Sequence, residues 1–229
     1  MAPAGRAAGT TACRLPGRLP LRSAARWING TPLVGGTSTS GYGWDYNGAD
    51  GRLTLTASTG SYVITGKDET GEFSIYAAAN LCTVVMSNLT MNALDTIARP
   101  PFESVSGKIA TLQFEGVNKL TGCSGYPAIY VAEGSSVTIG GAGQVEAIGG
   151  ANAAGIGGRT GETRGTAKLN ITGGTIVANG GANGSGIGAA KSAGFGITTI
   201  SGGTIIATGK EGAAGIGGSQ GATSSPAAQ

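Results

Sequence analysis

Residues 41–48 read "GYGWDYNG", which sets Tyr42, Trp44 and Tyr46 at every second position with Asp45 and Asn47 between them. If the stretch is extended, a period of two puts the three rings on one face, where aromatic surface can stack on sugar rings. Asp45 and Asn47 would then supply hydrogen bonds beside them. Tyr76 in "FSIYAAA" and Tyr130 in "PAIYVAE" each follow an isoleucine and complete the set of candidate carbohydrate contacts. The alternative for the first three is structural: a segment that plugs the open end of whatever follows it.

Other chemistry finds little material. The chain has no histidine, so the commonest general base is missing. Glycoside hydrolysis usually needs two carboxylates across the scissile bond, and no acids are seen to recur in register along one wall. No catalytic residue is assigned, and the chain is expected not to be an enzyme. Asp68, Glu69 and Glu72 cluster in "GKDETGE". Calcium takes six to eight oxygens from convergent groups, and nothing recurs at the right period to build such a row, so these acids are expected in a solvated loop. Arg159, Glu162 and Arg164 in "GGRTGETR" occupy an insertion. Insertions on one face of a repeat protein are often binding surfaces, although exposed arginines need no such reason. Cys13, Cys82 and Cys123 form no C-x-x-C pair, so no zinc site is expected. Buried or free thiols are expected, with a Cys82–Cys123 disulfide as the alternative.

Charge and composition narrow the partners. The net charge of +3 comes from five arginines in residues 1–26, and the remainder carries 10 basic against 12 acidic side chains. That leaves no basic stripe for nucleic acid. No apolar run is long enough to span a membrane. Glycine accounts for 45 of 229 residues without a three-residue period, which excludes collagen, and the regular return of Ile, Val and Leu argues against disorder.

The elements that would position the candidate residues repeat. "AAGIGG" at 153–158 returns as "SGIGAA" at 185–190 and "AAGIGG" at 213–218. Its central isoleucine extends backward into a file of Ile75, Phe102, Ile129, Ile156, Ile187 and Ile216, spaced by 27, 27, 27, 31 and 29 residues. A second file holds Ile139, Ile171 and Ile200, continued by Met86 and Phe114. A third holds Val145, Ile176 and Ile205, continued by Met91 and Leu120. Each unit thus has three short β-branched pieces with turn residues at the corners. One unit cannot bury its own apolar side chains, but units stacked about 4.8 Å apart can. Buried isoleucines contribute roughly 1.5–3 kcal/mol each, more than the about 0.5–1 kcal/mol that a strand glycine forfeits.

The fold class is therefore all-β: a single-stranded parallel β-helix, a solenoid of about five turns, right-handed by the rule for parallel crossovers. Its expected divisions are a poorly ordered segment 1–40, cap strands 41–60, coils 61–218 and a disordered tail 219–229. In such coils Tyr76 and Tyr130 point outward on one wall, where later units carry Gly157, Gly188 and Gly217. That flat strip could accept an extended polymer, accept another chain, or be plain surface. The tail "ATSSPAAQ" holds nothing large enough to cap a coil stack. A fragment of a longer protein, or end-to-end self-association, is the expectation there.

"GWDYNGADGRLTLT", "ITGGTIVANGG", "ISGGTIIATG" and "AGIGG" resemble bacterial cell-surface proteins with pectate-lyase-like β-helix repeats, described as carbohydrate-binding-domain proteins or adhesins. The resemblance covers residues 41–218. It implies a non-catalytic module on the cell surface or outside the cell, with polysaccharide or a host or cell-surface glycan as partner. It also implies no cofactor beyond the calcium reported in some relatives. The chain departs from the pattern in lacking a clear signal peptide, a sortase-type anchor and further C-terminal modules. The alternatives are a structural or adhesive module contacting protein, and a polysaccharide lyase or hydrolase.

Overall fold

The computed structural model describes residues 26–34, 38–58, 60–68, 70–162 and 166–222, and these form strands, turns and bends without a helix. No helix among them could therefore cross a membrane. Cys13, Glu69, Arg164 and the four arginines before Arg26 lie outside the described residues.

The chain begins with a cap built of antiparallel strands. β1 (Arg26–Ile28) and β2 (Thr31–Leu33) form a hairpin whose turn residues, Asn29 and Gly30, both have positive φ, as the favoured two-residue turn requires. β3 (Thr39–Gly41), β4 (Trp44–Asn47) and β5 (Arg52–Leu55) follow as a meander. Residues 26–34 are thus folded, with Ile28 and Leu33 buried. Strand pairing starts well before residue 41, because β1, with Arg26 and Ile28 alternating inward, pairs with β6, a partner that the local sequence does not reveal.

The coils start at β6 (Ser61–Lys67), β7 (Ser74–Ala77), β8 (Cys82–Asn92) and β9 (Phe102–Ser104). They continue through β10 (Ile109–Glu115), β11 (Val117–Thr121), β12 (Ile129–Tyr130), β13 (Ser136–Gly141), β14 (Gln144–Ile148) and β15 (Ile156–Gly157). The last two turns are β16 (Lys168–Ile171), β17 (Thr175–Asn179), β18 (Ile187–Gly188), β19 (Ile197–Ile200), β20 (Thr204–Thr208) and β21 (Ile216–Gly217). Every coil strand pairs in parallel with its counterparts one turn away, which makes a parallel β-helix of about five turns. β8 runs straight across two faces, pairing with β10 by its first half and with β11 by its second. Those faces are therefore one 12-stranded sheet, and the third face is a nine-stranded sheet that includes β3, β4 and β5.

The isoleucine file of the third face stacks in register from Ile75 to Ile216. Ile156 and Ile187 are fully buried, whereas Ile216, in the last coil, is 36% exposed. Ile139, Ile171 and Ile200 stack as expected, and so do Val145, Ile176 and Ile205. Their N-terminal continuations differ from the expectation. Val84 and Leu112 precede Ile139, while Met86 and Phe114 stack on each other beside Gly141. Likewise Met91 and Leu120 lead to Ala147, and Asn118 stands over Val145. Positions two apart in a strand face the same way, so inward pattern alone does not choose between them.

Polar residues tie the corners. Buried Asn118 accepts from Leu89 N at 2.9 Å and donates to Glu115 O at 3.0 Å and Gln144 O at 3.1 Å, linking three coils where β10 gives way to β11. Gly157, Gly188 and Gly217 have φ of +137°, +130° and +133°. That conformation explains the glycine after each isoleucine, since side chains rarely adopt it. At the cap, buried Arg26 and Asp68 lie 3.2 Å apart, and Asp68 also accepts from Phe73 N at 3.0 Å. Asp68 is thus an internal tie, not part of a solvated loop. Cys82 and Cys123 are buried free thiols, so the alternative disulfide is absent. Of the tail, Ser219 is buried and Ala222 packs against the core; residues 223–229 lie outside the described ones.

Candidate functional site

The three cap aromatics do not share a face. Tyr42 is 93% exposed in the turn between β3 and β4, whereas Trp44 and Tyr46 are 4% and 2% exposed. The turn, with Gly43 at φ +75°, interrupts the period-two run before β4 begins. Within β4, Trp44 and Tyr46 pair with Leu55 and Leu53, the inward residues of β5. They plug the end of the coil stack, and their rings are closed to a ligand.

Asp45 and Asn47 take the opposite parity and are exposed. Asp45 belongs to one outward row of the nine-stranded sheet. Ser40 pairs with Asp45, Asp45 with Thr54, Thr54 with Tyr76, Tyr76 with Glu103 and Glu103 with Tyr130. The row then runs on through Gly157, Gly188 and Gly217. It is exposed at Ser40 and Asp45, half-buried at Thr54, Tyr76 and Glu103, and buried from Tyr130 to Gly188.

The open end is a shallow cavity of about 310 Å³ lined by Ser38, Thr39, Ser40, Asp45, Tyr46 and Asn47. In the middle, the Arg52 guanidinium carbon lies 3.9 Å from the centroid of the Tyr76 ring, and Nη2 lies 3.5 Å from Glu103 Oε2. Arg52 Nε is buried with no hydrogen-bond partner among the described residues. Burial pushes the Glu103 carboxyl above its ordinary value, and Arg52, then Arg159 and Arg99, oppose the shift.

At the closed end residues 159–162 fold back over the row. The Tyr130 hydroxyl donates to Glu162, and Arg159 Nε lies 3.8 Å from the same carboxylate. The Arg159 guanidinium stands 5.4 Å and 5.8 Å from the ring centroids of Tyr130 and Tyr126. Gly194 N donates to Glu162 O at 2.9 Å, and Thr160 N to Gly125 O at 3.0 Å, so residues 160 and 162 are tied to the coils on either side. Tyr130 is consequently only 4% exposed and does not offer its ring outward. Nor is the glycine strip an open surface: Gly157 and Gly188 are buried, and only Gly217, in the last coil, is partly exposed. Burial raises the carboxyl of Glu162 and the phenol of Tyr130, the latter also through its bond to Glu162.

Sequence reasoning missed Glu103 and Arg52, and with them a wall that carries carboxylates in register. The signal for Glu103 was present: it follows Phe102 as Tyr76 follows Ile75 and Tyr130 follows Ile129. Asp45 and Glu103 are three strand steps apart, about 14 Å along the backbone, wider than the about 5–9.5 Å of a hydrolase pair. Among the described residues no group of three or more His, Cys, Asp or Glu is arranged to hold a metal ion.

A family described as Beta helix repeat matches residues 169–191 and 199–220, which fall in the last two coils. No curated protein and no solved structure matches the chain. Together with the stacked parallel sheets, the repeat match makes this a parallel β-helix protein.

Proposed function

We propose that the chain is a non-catalytic module at a bacterial cell surface, holding polysaccharide on the outer row of its nine-stranded sheet. One observation carries the reading: Asp45, Thr54, Tyr76 and Glu103 stand side by side on one accessible wall. Arg52 lies over the Tyr76 ring within that row. Hydroxyl, amide and carboxylate groups beside an aromatic ring suit the mixture of polar edges and apolar faces on a sugar. The contacts are Ser40, Asp45, Asn47, Arg52, Tyr76 and Glu103, with Tyr42 at the adjoining hairpin tip. Trp44, Tyr46 and Tyr130 hold the structure beneath them. No cofactor is required, and neither nucleic acid nor membrane is the partner.

Affinity electrophoresis through gels containing neutral or acidic polysaccharides tests this. The chain should be retarded by at least one of them, with retardation lost in Tyr76→Ala and weakened in Asp45→Ala. Free migration through every gel overturns the proposal. Release of reducing ends or unsaturated products would instead make the chain an enzyme.

A further inference from the structure

The accessible part of the row is short, and one end of it is shut. From Ser40 to Glu103 there are four strand steps, about 19 Å. At the next step the side chain is Tyr130, roofed by Arg159 and Glu162. A polymer lying along this wall from the cap side meets the roof, and the following rows, Gly157 and Gly188, are buried. An extended glycan cannot pass straight through without leaving the surface.

The closed end also carries unspent hydrogen-bonding capacity. Between the Tyr76 ring and the Glu103 carboxylate, the Arg52 side chain stays 33% exposed, and Glu103 stays 24% exposed beside it. The accessible edges of the two groups, a cationic donor beside an anionic acceptor, can hold a ligand hydroxyl through charge-assisted hydrogen bonds. The terminal ring of a glycan has one free hydroxyl that an internal ring spends on its glycosidic bond. We infer that this wall recognises the terminus of a glycan chain, seating the last ring at Arg52 and Glu103 against the Arg159–Glu162 roof. The inference rests on the glycan-binding reading above and adds the part of the chain that is bound.

Titration calorimetry with size-graded, monodisperse glucan and galacturonan oligosaccharides separates the two. For the fraction that binds, one protein should bind per glycan chain at every length, and molar affinity should stop rising once the ligand exceeds about four rings, one per strand step. Proteins bound per chain increasing in proportion to length, with binding still abolished by Tyr76→Ala, would sink terminal recognition while leaving the wall as the site. Binding that ignores Tyr76→Ala, or none to any fraction, would sink the wall itself and the inference with it. Arg159→Ala combined with Glu162→Ala, with an unchanged circular dichroism spectrum, should allow more than one protein on each long chain. Continued one-to-one binding by that folded variant would overturn the role of the roof. If it does not fold, the length series of the natural chain decides.

Discussion

The Tyr130 hydroxyl donates a hydrogen bond to the carboxylate of Glu162, which reaches it from the following coil. Glu162 is thereby held where burial raises its carboxyl above the ordinary value.

The folded chain therefore keeps a proton on Glu162 over a range where the unfolded chain has released it. This contribution to stability is complete below the unfolded value, about 4.3, and is lost as pH rises through the raised native value. Glu162→Gln retains an acceptor for Tyr130 but cannot titrate. Thermal unfolding of both proteins across that window should show the natural chain losing ground to Glu162→Gln as pH rises. A difference in Tm that stays constant with pH would contradict it. Glu103, also raised, is common to both proteins and cancels.

The isoleucine file should lose its worth at its last member. Ile187→Ala empties a fully buried site and is expected to cost about 2–5 kcal/mol. Ile216→Ala removes a side chain that is 36% exposed and should cost about 1–2 kcal/mol. Urea unfolding of the two variants checks the ranking, and equal losses would show that the last coil is covered in solution.

Two glycines with positive φ should respond differently to alanine. At Gly157 a Cβ would run into the carbonyl oxygen of Gly188, a backbone atom of the next coil. Adding about 1–3 kcal/mol of backbone strain to that collision, Gly157→Ala should cost about 3 kcal/mol or more. At Gly107, φ +73°, nothing lies within 4 Å of the added atom. Gly107→Ala should then show only the left-handed strain, about 1–2 kcal/mol. Chemical denaturation measures both, and a milder effect at Gly157 would mean the coils are looser there.

Thr198 continues the inward file of Val137 and Leu169, and its hydroxyl is buried without a partner among the described residues. Thr198→Val exchanges that hydroxyl for a methyl group of nearly the same size. A gain of about 1 kcal/mol in unfolding free energy is expected. A loss on substitution would reveal an undetected partner, such as an ordered water.

Much of this molecule is legible in its residues alone. The glycine-bracketed isoleucines recur with side chains of one kind at one spacing, and only stacked turns bury them, so the coil architecture and the third-face file follow from the sequence. Parity did as much for Tyr76, and applied to Glu103 it would have completed the outward row. Tertiary structure decided what parity leaves open. Positions two apart face the same way, so whether Leu112 or Phe114 stacks under Ile139 depended on how far β10 extends before its corner. The turn at Tyr42–Gly43 broke a run that looks continuous in the sequence, sending Trp44 and Tyr46 inward and Tyr42 out. Above all, no local pattern says that residues 159–162 will fold back across their own wall. Whether Tyr130 faces water or lies under Arg159 and Glu162 rests on contacts between residues about thirty apart, which exist only once the coils are stacked.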